Sequence, residues 1–204
     1  MSERFSMIRS FHVADLLTLA NAASGTGAIF LSMAYIAAAA PSKIYAAGIM
    51  LLLAVVFDLL DGRVARWRHS ASPMGRELDS LADAVSFGVA PACLARAVGL
   101  NGAWDTVALV FFVACGISRL ARYNITSEEL SDESGKVAYY EGAPITTSLG
   151  LVLLLVVLVA LGRVGDNLAG GVVTVLGGEL HPLVLLYVLS GSLMISKTVR
   201  IPKP

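Results

Sequence analysis

Charged residues are scarce in this sequence of 204 residues. They make up 15% of the chain, against about 25% in soluble domains. Hydrophobic residues reach 56%, above the roughly 45 to 50% of soluble domains. The composition therefore excludes an ordinary soluble domain and indicates a membrane protein. The net charge is zero, so the chain also lacks the overall basic field that attracts nucleic acid.

Cysteine and histidine are also rare, with two and three copies. Cys93 and Cys115 both lie inside apolar runs, which is typical of small buried side chains rather than of a disulfide or a metal ligand. Cysteine and histidine pairs are absent near the acidic residues described below, which argues against zinc.

Long apolar runs divide the chain into candidate membrane spans. A helix needs around 20 residues to cross the hydrocarbon core, and suitable runs occupy residues 14–40, 44–67, 76–98, 104–125 and 145–161. A sixth span is placed after Pro182, because glycines and polar residues interrupt the preceding segment. We therefore expect a single all-α integral membrane domain over residues 1–204, with six transmembrane helices.

The distribution of basic residues predicts the topology. With both termini cytoplasmic, twelve of the fifteen lysines and arginines fall on the cytoplasmic side, and only Lys43, Arg96 and Arg163 fall outside. This asymmetry obeys the positive-inside rule. It predicts an even number of spans and places the charged segment 58–83 at the cytoplasmic side, with the plasma membrane as the expected location.

Four aspartates are concentrated in that segment. Asp58 and Asp61 are three residues apart, and Asp79 and Asp83 are four apart, so each pair projects from one face of a helix. Two helices joined by a short turn would bring the pairs together. Four such carboxylates repel one another and are costly to desolvate. A bound divalent cation removes both costs, and oxygen ligands favour Mg²⁺, Mn²⁺ or Ca²⁺.

Other residues of the segment indicate phosphoryl chemistry. Gly62 and Gly75 would allow a ligand to approach the backbone, and Arg66 could bind a phosphate through charge-assisted hydrogen bonds. Two other interpretations remain open. The aspartates could simply pair with neighbouring arginines, although this would not require their spacing. They could also form the ion site of a cation transporter or channel.

The strings DLLDGRVAR at 58–66 and GRELDSLAD at 75–83 resemble the complete signature of the CDP-alcohol phosphotransferase family. The resemblance implies a six-helix membrane fold that usually dimerises, with one or two divalent metals, Mg²⁺ or Mn²⁺, on the four aspartates. It also implies that Asp83 is the base that acts on the acceptor hydroxyl. The residues expected to border the cytidine diphosphate group are Gly62, Ala65, Arg66 and Gly75.

Further strings are similar to the phosphatidylserine synthase branch of that family. They are TLAN at 18–21, SFGVAP at 86–91, RLARYN at 119–124 and GAP at 142–144. The resemblance implies that CDP-diacylglycerol, or CDP-archaeol, donates a phosphatidyl group to L-serine, giving phosphatidylserine and CMP. The same chemistry with glycerol phosphate, an inositol phosphate or choline as acceptor remains an alternative.

The acceptor side of the site is expected to contain two arginines. Arg119 and Arg122 could bind the carboxylate of serine, or could extend to the membrane interface. Ser86 and Asn124 complete the expected acceptor residues. Asn21 could approach the nucleotide, or form a hydrogen bond between helices.

Overall fold

The computed structural model describes residues 13–68, 73–129, 139–196 and 200–202. Most of these residues are helical. Within the described ranges the α-helices, in chain order, are α1 Val13–Ala38, α2 Pro41–Arg68, α3 Pro73–Asp83, α4 Ala90–Val98, α5 Ala103–Glu129, α6 Ser148–Ala160 and α7 Leu185–Ile195.

Among the described residues, four helical segments are long and apolar enough to cross a membrane: Val13–Ala38, Pro41–Val64, Met74–Val98 and Ala103–Ile125. They correspond closely to the first four expected spans, and they confirm a helical membrane protein. The apolar helices Ile145–Ala160 and Pro182–Ile195 are shorter. The count of six crossings and the orientation of the termini therefore stay predictions.

The third span changes its helical form in the middle. A π-helical segment, Ala84–Val89, joins α3 to α4 and begins directly after Asp83. Such segments are frequent at functional sites, because the wider turn redirects the side chains around it. The span ends at Gly99, whose φ of 136° is one that side chains other than glycine rarely adopt.

Short strands depart from the all-α expectation. β1 Tyr139–Glu141 pairs antiparallel with β4 Arg200–Pro202. β2 Val173–Val175 and β3 Gly178–Leu180 form an antiparallel hairpin between α6 and α7. Strands of three residues are too short to produce the alternating pattern by which a strand is recognised in a sequence.

A buried carboxylate holds this hairpin against the start of α5. Asp105 accepts hydrogen bonds from the backbone N–H groups of Gly102 at 2.9 Å and His181 at 2.8 Å. Its second contact with His181 is 2.6 Å to the ring atom Nδ1. Both side chains are buried. The indole of Trp104 also donates to the carbonyl of Val175 at 2.8 Å, so two residues of α5 hold the hairpin.

The helices pack through apolar and small residues. Phe112 on α5 meets Tyr187 on α7 edge to face, with ring centroids 5.2 Å apart. Gly25 allows α1 to approach the π-helical segment, since a Cβ there would lie 2.7 Å from Cα of Ser86. Close approach through small residues is typical of helix packing in membranes. Cys93 and Cys115 are free.

Candidate active site

Three of the four aspartates form a compact cluster. Asp58 and Asp61 come from the C-terminal half of α2, and Asp79 comes from α3. One carboxylate oxygen from each lies within 4.8 Å of the others. Asp61 is buried, and the other two are half-buried. The spacing of three within α2 therefore places two carboxylates opposite one from the next helix, whereas the sequence predicted two from each helix.

The cluster fits a divalent cation. Atom Oδ1 of Asp79 is buried and has no hydrogen-bond partner among the described residues, although buried polar atoms are normally satisfied. Three carboxylates at this distance repel one another when ionised. An oxygen-only donor set is the one preferred by Mg²⁺, Mn²⁺ and Ca²⁺. Asp58, Asp61 and Asp79 could therefore hold such a cation.

Asp83 lies one turn after Asp79 on α3, beside the cluster but outside the group of three. It is buried, and its atom Oδ1 accepts a hydrogen bond of 3.2 Å from the side-chain amide of Asn21. The four aspartates thus have different surroundings. Three of them bring carboxylate oxygens close together, whereas Asp83 is held by the side-chain amide of Asn21.

Helix α1 contacts both the cluster of three aspartates and the separate Asp83. The hydroxyl of Thr18 lies 2.8 Å from atom Oδ2 of Asp61, and Asn21 follows three residues later on the same face. The hydroxyl of Ser86, in the π-helical segment, donates to the backbone carbonyl of Asn21 at 3.0 Å. The role of Thr18 was missed by the sequence analysis, although two polar residues three apart in an apolar span were the available signal.

Gly62 directly follows Asp61 on α2 and has space beside its Cα. A Cβ at this position would meet no atom of the described residues within 4 Å. Gly75, in the first turn of α3, is half-buried. Ala65 and Arg66 belong to α2, but their side chains lie outside the described part of the chain. The structure thus leaves space beside Gly62 where the sequence predicts the cytidine diphosphate group.

The two predicted acceptor arginines have different surroundings. Arg119 is buried, with its guanidinium carbon 5.4 Å from the centre of the Tyr123 ring. Arg122 donates to the carbonyl of Ile195 at 3.0 Å and to that of Met194 at 3.5 Å. Arg122 therefore binds the last carbonyls of α7, a common position for a cation at a helix C-terminus.

The predicted acceptor residue Asn124 connects α5 to α3. Its amide nitrogen lies 3.0 Å from the Ser80 hydroxyl and 3.5 Å from atom Oε1 of Glu77. Ser80 follows Asp79 directly, so this contact fixes α5 against the helix that carries two of the aspartates. Ser86 is fully buried and bonded to Asn21 as described above.

Comparison with known proteins gives consistent results. The family model for CDP-alcohol phosphatidyltransferase matches residues 11–190. The chain is 45% identical to a CDP-diacylglycerol–serine O-phosphatidyltransferase of Saccharomyces cerevisiae, over 98% of this chain and 74% of that relative.

Two further relatives match over shorter stretches. An archaetidylserine synthase of Methanothermobacter thermautotrophicus is 41% identical over 54% of this chain and 46% of the relative. A CDP-diacylglycerol–serine O-phosphatidyltransferase of Helicobacter pylori is 39% identical over 64% of this chain and 54% of the relative. The aligned stretches thus span about half the length of these two relatives.

Proposed function

The chain belongs to the CDP-alcohol phosphatidyltransferase family, and we propose that it transfers the phosphatidyl group of CDP-diacylglycerol to the hydroxyl of L-serine. The products are phosphatidylserine and CMP. The observation that carries this proposal is the cluster of Asp58, Asp61 and Asp79 beside Asp83. The names of the yeast and Helicobacter relatives support serine as the acceptor. The archaeal relative makes CDP-archaeol a second candidate donor.

Asp58, Asp61 and Asp79 hold the divalent metal in this proposal, with Asp83 as a further ligand as the signature implies. When bound, Mg²⁺ or Mn²⁺ supplies positive charge that polarises the phosphoryl oxygens and stabilises the leaving CMP. The protein orients the ligands through α1, because the Thr18 hydroxyl bonds to one oxygen of Asp61. Outer contacts of this kind fix the direction of a metal ligand and increase affinity.

Asp83 acts as the general base. It accepts the proton of the serine hydroxyl as that oxygen forms a bond to the lipid-proximal phosphorus. The bond from this phosphorus to the CMP oxygen breaks, and CMP leaves with the bonding electron pair. The Asn21 amide supports this role because it binds one oxygen of Asp83 and leaves the other available to the hydroxyl.

The nucleotide lies along the open side of α2. Gly62 borders it there, since no described atom occupies the space beside its Cα. Ala65, Arg66 and Gly75 complete this border, as the family signature implies. Arg66 offers planar guanidinium donors that match the diphosphate.

Serine binds on the α5 side of the aspartates. The buried guanidinium of Arg119 binds the serine carboxylate, and stacking over Tyr123 limits its movement. Arg122 remains a candidate for binding serine. Its main role is to join α5 to α7 through its contacts with Met194 and Ile195. Ser86 and Asn124 shape this region through their contacts with α1 and α3.

The proposal includes an arrangement in the membrane. Residues 1–204 form a single domain that crosses the plasma membrane six times, with both termini and the aspartates on the cytoplasmic side. The positive-inside distribution supports this orientation. Two such chains form a homodimer, as the family resemblance implies.

Competition between acceptors tests the proposal. Purified protein in detergent is given CDP-diacylglycerol, Mn²⁺ and radiolabelled serine, and lipid-soluble label is counted with excess unlabelled serine, glycerol phosphate, inositol phosphate or choline. A parallel reaction uses radiolabelled glycerol phosphate in place of labelled serine. We expect label in phosphatidylserine, and we expect that only unlabelled serine lowers the amount of this label. Label entering lipid from glycerol phosphate but not from serine would overturn the acceptor assignment and retain the family chemistry.

A further inference from the structure

Two neighbouring cavities share one arginine at the end of the third span. An open groove of about 390 Å³ runs between α4 and α5. Its lining is almost wholly apolar and includes Val89, Leu109 and Val113, whereas Arg96 and Thr106 form one end. The second cavity, of about 370 Å³, adjoins Arg96 and includes Tyr35 and Asn101. Both volumes lie in the range of roughly 300–1,000 Å³ that is usual for small-molecule sites.

This pair of cavities is distant from the aspartates. Asp83 and Arg96 are thirteen residues apart on the same continuous helix, which corresponds to about 20 Å along the axis. Asp79 lies near one end of the span Met74–Val98, and Arg96 lies in the last turn at the other. The cavities therefore open toward the membrane leaflet opposite the aspartates.

Arg96 has the chemistry of a phosphate-binding residue. One of its terminal nitrogens donates to the Thr106 hydroxyl at 3.0 Å, and a guanidinium has five N–H donors in total. Among the described residues it has no carboxylate partner within ion-pairing distance. Its side chain is exposed, so the remaining donors are accessible to a phosphodiester, which binds guanidinium groups through charge-assisted hydrogen bonds.

Because Arg96 lies between the two cavities, apolar and polar surfaces follow one another in space. The apolar wall of the groove lies deepest in the membrane. The Arg96 guanidinium and the Thr106 hydroxyl come next, and the cavity beside Tyr35 and Asn101 lies outermost. A phospholipid has the same order of acyl chain, phosphate and headgroup. Basic sites between membrane helices are known to bind lipid headgroups. An arginine that only extends into water would not need an apolar groove continuous with its guanidinium.

We propose that this site binds one glycerophospholipid from the leaflet opposite the aspartates. Its phosphate is bound by Arg96 beside Thr106. One acyl chain lies in the groove between α4 and α5, and the headgroup occupies the cavity beside Tyr35 and Asn101. The site is separate from the proposed transfer reaction and does not depend on it.

Photolabelling tests the proposal. The protein is reconstituted in vesicles of phosphatidylcholine that contain a trace of phosphatidylglycerol with a diazirine on one acyl chain. After illumination, labelled peptides are mapped by mass spectrometry. We expect the label within residues 89–117. Arg96→Gln should reduce this label at least fivefold, whereas Arg163→Gln, at another exposed basic residue, should leave it unchanged.

A second variant tests the groove without altering the arginine. Ala114 lines the groove, and Ala114→Phe should fill it and remove the label while Arg96 remains. Circular dichroism and thermal unfolding of each variant establish that it is folded. Equal labelling of wild type and both folded variants would overturn the site.

Two further outcomes identify other occupants. Unlabelled phosphatidylglycerol should compete for the site, whereas glycerol phosphate without acyl chains should not. Equal competition by glycerol phosphate would mean an anion site that does not use the groove. Exclusion of the label from residues 89–117, together with crosslinking between chains through Cys93, which lines the groove, would mean that a second copy of the chain covers it. Either result overturns the lipid site.

Discussion

The side-chain amide of Asn21 lies 3.2 Å from a carboxylate oxygen of Asp83. This hydrogen bond joins the first membrane helix to the third across 62 residues of sequence. One turn earlier on α1, Thr18 forms the equivalent contact with Asp61. A single face of α1 thus orients one aspartate of the cluster and the neighbouring aspartate that we propose as the base.

The Asn21 contact predicts a selective loss of turnover. Hydrogen bonds to charged groups contribute about 1.5–3 kcal/mol, and 1.36 kcal/mol corresponds to tenfold in rate. Asn21→Ala should therefore reduce kcat by roughly 10- to 100-fold. Mn²⁺ affinity, measured by electron paramagnetic resonance, should fall less than kcat, because three of the four proposed metal ligands keep their contacts. Ser24→Ala is the matched control, because among the described residues the Ser24 hydroxyl bonds only to the backbone of its own helix. Wild-type kcat in folded Asn21→Ala would remove the residue from the mechanism.

The Thr18 contact predicts a loss of metal affinity instead. Removing an outer partner of a metal ligand typically weakens binding by about 10- to 100-fold. Thr18→Val should show a loss of this size for Mn²⁺, and Thr18→Ser should restore binding because the hydroxyl remains. Thr26→Val is the control, since within the described part of the chain the Thr26 hydroxyl bonds only to the carbonyl of Ala22. Equal Mn²⁺ affinity in the valine and serine variants would contradict a positioning role for Thr18.

The space beside Gly62 predicts an effect on the nucleotide. Gly62→Ala should fold normally, because the added methyl group meets no described atom and alanine favours a helix. It should raise KM for CDP-diacylglycerol several-fold with a smaller change in kcat, since the methyl group enters the proposed nucleotide site. Gly150→Ala is the matched control, because Gly150 is another helical glycine with open space around it. An unchanged KM for Gly62→Ala would move the nucleotide elsewhere.

The Asp105 contact predicts a change in stability without a change in mechanism. Asp105→Ala leaves two buried N–H groups and the His181 ring without their acceptor. Leaving such groups unsatisfied costs about 1–3 kcal/mol each. We expect a clearly lower Tm and a normal KM for serine in the folded fraction, measured by thermal unfolding and initial rates. Asp166→Asn, at an exposed residue, should leave Tm unchanged. A normal Tm for Asp105→Ala would contradict the account of the hairpin.

The membrane helices and the aspartates were accessible from the sequence for clear physical reasons. Inside the membrane, backbone hydrogen bonds must be satisfied within a helix, so each span appears as a long apolar run. The predicted ends of the first four spans therefore lie within a few residues of the observed ends. Helical spacing also predicted that the four aspartates converge, and the structure groups Asp58, Asp61 and Asp79 while Asp83 lies one turn away. These features depend on local sequence and on one short connection between helices.

Other features depend on contacts that local patterns do not contain. The π-helical segment after Asp83 has no periodic signal of its own, and three-residue strands are too short for one. The contacts of Arg122 with the end of α7 join residues more than 70 positions apart. From the sequence, this arginine was expected either to bind serine or to extend to the membrane interface. Its bonds to the carbonyls at the end of α7 could not be predicted.

The central claim is a metal-dependent transfer to serine at the aspartate cluster, and release of CMP tests it most directly. Purified protein is incubated with CDP-diacylglycerol and Mn²⁺ or Mg²⁺, with and without serine, beside the folded variant Asp79→Asn. We expect CMP release that requires serine and is abolished by EDTA and by Asp79→Asn. Serine-dependent CMP release that persists in EDTA, or at full rate in Asp79→Asn, would contradict the account.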